Sequence, residues 1–189
     1  MTAGFIGGGG IDGMEVSLSD GRNHLWVPKW DVWNRQAPEG RIWRVKYGCL
    51  MEEVADCGAP APDDLSNALV RLGRALREIH AFSSTRGCDG FSECFSKALD
   101  TLDSAGANLH GYHKDLVPVS CRLPEARTLL DACQSAWVFG GMGSWNDMGF
   151  HGDDENEYEL ISANLYGCIK HAICAGANDS GHRFGRLSC

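Results

Sequence analysis

The sequence predicts an α+β fold, with a small N-terminal antiparallel sheet followed by about four amphipathic helices. Two observations lead to it. Through residue 50 the apolar residues come in short alternating runs, the period of half-buried strands. From residue 60 onwards they recur every three or four positions, the period of helices with one buried face. Pro60 and Pro62 stand at the changeover and end whatever precedes them. The length of 189 residues suits one domain, 1–189, with residues 1–13 as a flexible or irregular lead-in and 177–189 as a loosely ordered tail.

The stretch GMEVSLSDGRNHLWV places two short runs around Asp20-Gly21, a turn pair that favours a hairpin. In RIWRVKYG, Arg41 to Gly48, the residues Trp43, Val45 and Tyr47 fall on one face of a strand, and Arg44 and Lys46 on the other. Between these runs, VPKWDVWNRQAPEG carries two prolines and two tryptophans and reads as a loop or irregular edge. The tetraglycine Gly7 to Gly10 is costly to order, and no helix start or lysine follows it as a phosphate loop requires.

Asp63-Asp64 offers an N-cap to the first helix, and Leu65, Leu69, Leu72, Leu76, Ile79 and Phe82 make its apolar stripe. Arg71, Arg74 and Arg77 lie off that stripe, with Glu78 placed to pair with Arg74 one turn on. A second helix spans about Asp89 to Ser104, with Phe91, Phe95, Ala98 and Leu102 inward and Gly106 as its stop. A third begins at Leu123-Pro124, proline being favoured at the first helical position, with Ala126, Leu129, Leu130 and Cys133 inward. Trp137 to Phe139 is apolar and short enough for a strand. A fourth helix begins near Asp153, buries Tyr158, Ile161, Leu165, Cys168, Ile169 and Ala172, and stops at Gly176.

Composition removes several classes of function. No run of 18 apolar residues exists to span a membrane, and the N-terminal MTAGFIGGGGIDGMEV does not have the pattern of a secretory signal, so a cytoplasmic location is expected. A net charge of −8 argues against nucleic acid, since phosphate contact needs clustered Lys and Arg, and suits a partner with a basic surface. None of the nine cysteines forms a CxxC pair, and several fall on apolar helix faces, where reduced thiols behave as small hydrophobes.

The densest special chemistry lies in WVFGGMGSWNDMGFHGDDENEYEL, residues 137 to 160. Between Arg127 and Lys170 there is no basic residue, while seven acids occur: Asp131, Asp147, Asp153, Asp154, Glu155, Glu157 and Glu159. Gly140, Gly141 and Gly143 suit a backbone that turns sharply, and Asp153-Asp154 suits the positive end of a helix. Three chemistries fit such a loop. Glycine N–H groups bind anions, but neighbouring carboxylates repel them. Asp147, Asp153, Asp154 and Glu157 are hard metal ligands, although their spacing departs from an EF-hand. In a protein contact, Trp145 and Phe150 would be the aromatic anchors, and Asn146, Asp147, Asp153, Asp154 and Glu157 the polar and charged rim. The plainer alternative is a loop that packs on its own domain, its acids capping a helix.

Other constellations are weaker. His110 and His113, near Asp115, make an HxxH, but Gly111 and Pro118 deny them the helix that would fix the spacing, and no third ligand is apparent. No GxSxG elbow occurs. Pairing a Cys with a His by chance is easy with nine of one and seven of the other.

AWVFGGMGSWNDMGF, followed by the acidic patch and by EYELISANLYGCI, resembles small uncharacterised bacterial proteins similar to immunity proteins of polymorphic toxin systems, over roughly residues 112 to 175. The tetraglycine and the many cysteines lie outside that pattern. The resemblance implies a cytoplasmic, acidic, single-domain protein without catalysis, which binds and neutralises one cognate toxin; no cofactor is expected. The expected reading is therefore a non-catalytic acidic binding protein. The competing one is a metal-dependent enzyme using Asp147, Asp153, Glu157 and His113 or His151.

Overall fold

A computed structural model describes residues 13–38, 42–52, 64–104, 117, 124–140 and 143–182. The α+β class holds: among the described residues an antiparallel sheet comes first and four α-helices follow it. The chain divides into two compact units, Met1–Pro60 and Ala61–Cys189. The tetraglycine, His110 and His113, Asp115, Gly106 and residues 183–189 lie outside the described residues.

The first unit holds β1 (Met14–Ser17), β2 (Asn23–Val32) and β3 (Trp43–Met51) in the order β1-β2-β3, all antiparallel. Its first turn forms where Asp20-Gly21 predicts. Gly21 has φ 84°, a left-handed conformation that glycine adopts without a Cβ penalty. Asp20 accepts the Arg22 backbone N–H at 3.1 Å and pairs with its guanidinium at 2.7 Å. The first part of the segment expected to be a loop or irregular edge, residues 27–32, is instead the second half of β2, with Pro28 opposite Tyr47 and Trp30 opposite Val45, while residues 33–38 are irregular as expected. Proline is tolerated there because β1 pairs only with Asn23–Trp26. On the side of Pro28 away from β3, the described residues supply no strand that would need an N–H, as at a sheet edge. Pairing with β3 thus overrides the local turn signal. The register puts Trp26, Pro28, Trp30, Val45 and Tyr47 on one face and Lys29, Asp31, Arg44 and Lys46 on the other, the alternation read from the sequence.

The second unit is built from α1 (Leu65–Thr85), α2 (Asp89–Ser104), α3 (Pro124–Ala136) and α4 (Asp153–His182). Asp64 caps α1, its carboxylate accepting the Asn67 N–H at 2.8 Å, a contact worth about 1 kcal/mol. Helices α1 and α2, α2 and α3, α3 and α4, and α4 and α1 pack side by side. Arg86 beyond α1 meets Asp154, while Glu78 meets Asn164, so α1 and α4 run antiparallel. The core takes Leu72, Leu76, Ile79 and Phe82 from α1, Phe95 and Ala98 from α2, Leu129 and Cys133 from α3, and Leu165 and Ile169 from α4. Each large side chain here contributes about 1.5–3 kcal/mol by leaving water.

Two boundary readings change. Trp137–Phe139 is irregular rather than a strand, and the Val138 carbonyl accepts the Trp145 N–H at 3.0 Å. Gly176 does not stop α4, which runs on to His182. A Cβ at Gly176 would meet Leu130 Cγ at 3.1 Å, so this glycine lets α4 approach α3 closely. Among the described residues no helix is long and apolar enough to cross a membrane. Cys88, Cys133 and Cys168 are buried as expected, whereas Cys49 and Cys174 are exposed. Burial pushes the Cys133 thiol far up, which keeps it protonated and inert.

Candidate functional site

The loop from Trp137 into α4 is organised by one side chain. Trp145 opens a single turn of 3₁₀-helix, Trp145–Asp147, and is 0% exposed. Its ring meets Phe91 at 5.2 Å, Phe95 at 5.5 Å and Phe82 at 6.5 Å, all edge-to-face, and tilts against Tyr158 at 5.3 Å. Residues from α1, α2 and α4 thus enclose it. The polar atoms are satisfied as burial demands: the indole N–H donates to Ser162 Oγ at 2.7 Å, and the Tyr158 hydroxyl donates to the Trp145 carbonyl at 2.6 Å. Burial, with the carboxylates of Glu155, Asp147 and Glu159, pushes the Tyr158 hydroxyl up from its ordinary range and keeps that donor protonated.

This corrects the expected role of Trp145. An indole enclosed by four aromatic rings is a core residue and offers no surface to a partner. Phe150 follows it: half-buried, it lies 5.0 Å from Phe82 and 5.1 Å from Tyr158. The apolar anchors of the loop therefore face inward, because a Trp and a Phe flanked by glycines can fold back onto three helices that each present an aromatic ring.

The acidic residues divide. The Asp147 carboxylate accepts the Gly143 backbone N–H, where Gly143 takes φ 84°. That N–H is thereby already used and is not free for an anion. The Phe150 N–H donates to Glu155 at 2.7 Å, tying the loop to the first turn of α4. Asp154 holds Arg86 through two bonds, 2.5 Å to Nη2 and 3.3 Å to Nε, with Glu157 further out at 3.7 Å. Arg86 also lies over the Phe82 ring at 4.8 Å. The Arg86 hydrogen bond holds the Asp154 carboxyl below its usual range. Asp153, Asp154 and Glu155 together place negative charge at the positive end of the α4 dipole.

Asn146, Asp147, Asp153 and Glu157 remain exposed among the predicted contact residues, joined by Glu159. Leu160, which the sequence reading left unremarked, is 72% exposed on the same helix. It stands one turn after Asn156 and Glu157, so an exposed apolar side chain has one amide and one carboxylate as its neighbours on the N-terminal side. Its signal was present in the sequence: Leu160 lies beside Ile161 but off the buried stripe of α4.

Asp131, counted among the acids of the basic-free stretch, is fully buried on α3. One of its oxygens accepts from Gln134 at 3.2 Å; the other has no hydrogen-bond partner among the described residues, and Arg127 Nε lies 4.0 Å from it. Burial raises the Asp131 carboxyl, and Arg127 only partly opposes this. Among the described residues, no three His, Cys, Asp or Glu side chains come together as metal ligands would. His151 is exposed, and His113 lies outside the described residues.

No family model matches the chain, and neither a curated protein nor a solved structure matches it.

Proposed function

We propose that the chain is a non-catalytic acidic binding protein whose contact surface is the first turns of α4, and that it meets a basic protein surface as an immunity protein meets its toxin domain. A cytoplasmic location belongs to the same reading. The observation that supports it best is Leu160, 72% exposed, among Asp153, Asn156, Glu157 and Glu159 in a stretch without a single Lys or Arg from residue 128 to 169. A large exposed apolar side chain on a helix turn that carries exposed carboxylates has the make-up of a small interface, with a desolvated centre and a polar rim. Like-signed carboxylates on the same helix would speed association with a cationic partner and reject anionic ones. Leu160 takes the anchoring place first expected of Trp145 and Phe150.

Capture from a cell lysate on the immobilised chain, at low and high salt, tests the reading. The triple variant Asp153→Lys, Glu157→Lys, Leu160→Asp alters only exposed side chains and should keep the helical circular dichroism of the parent. A basic protein held by the parent should be lost by the variant and weakened about tenfold or more by added salt. If the captured protein is an enzyme, the chain should inhibit it. Capture that the variant leaves unchanged would overturn the assignment of the surface.

A further inference from the structure

We draw no further inference here: the strongest candidate, the apolar face of the β1–β3 sheet that carries Trp26, Pro28, Trp30, Val45 and Tyr47, is an apolar face for which nothing in the structure shows what covers it.

Discussion

Replacing Trp145 by alanine should destabilise the helical unit rather than merely blunt a surface. A buried tryptophan removes about 150–250 Å² from water, which at about 25 cal/mol per Å² is worth about 4–6 kcal/mol as an upper value. The alanine recovers a small part of this. Against that recovery stand the lost edge-to-face contacts with Phe82, Phe91 and Phe95, and the cavity left between three helices. The expected net cost is about 3–5 kcal/mol. Folded domains hold only about 5–15 kcal/mol in all, so a large share of the margin goes. Trp145→Phe keeps a ring and loses the bond to Ser162, so it should cost less, about 2 kcal/mol. Urea unfolding followed by far-UV circular dichroism suits the test, since all four helices lie in the second unit. The order of midpoints should be parent, Trp145→Phe, Trp145→Ala. A Trp145→Ala midpoint equal to the parent's would mean that the indole is at the surface, and the account of the loop would fail with it.

Three further predictions concern stability. Asp131→Asn should stabilise the protein by about 1 kcal/mol near neutral pH, because it removes a buried charge with one unmet oxygen. A carboxyl whose folded pKa is raised costs stability as pH climbs above its unfolded value. The gain should therefore vanish in acid below that value, and a variant that is less stable at every pH refutes it. Arg86→Lys should lower the thermal midpoint slightly and Arg86→Ala somewhat more, since lysine cannot hold Asp154 by two bonds. The lowered Asp154 carboxyl means that this contribution is present above its unfolded pKa and fades as pH falls through the folded one. The parent's advantage over Arg86→Ala should accordingly shrink in acid and in high salt, and an advantage indifferent to both would count against the pair. Gly176→Val should cost about 1–3 kcal/mol, because even a Cβ there meets three carbons of Leu130 within 3.4 Å; an unchanged midpoint would show that α4 stands further from α3.

What the sequence determined by itself was everything set by period and by local chemistry. Leu72, Leu76 and Ile79 recur at helical spacing, so α1 and its buried face could be read directly. Asp64 caps because its short carboxylate reaches an N–H three residues on, and Gly21 turns because it lacks a Cβ; neither needs a distant partner. The β2 segment with Pro28 was misread because its pairing partner lies about 20 residues away, and pairing outweighed a local preference for turns. The acidic loop shows the same limit at the site. Spacing places Trp145 among glycines and acids, which describes an exposed anchor and a buried core residue equally well. Only the packing of α1, α2 and α4 decided between them, by bringing Phe82, Phe91, Phe95 and Tyr158 around one indole. Asp154 likewise found Arg86 across 68 positions, and Asp131 was buried by neighbours that helical periodicity does not name. Burial depends on contacts between residues remote in the chain, whereas period records only which residues share a face.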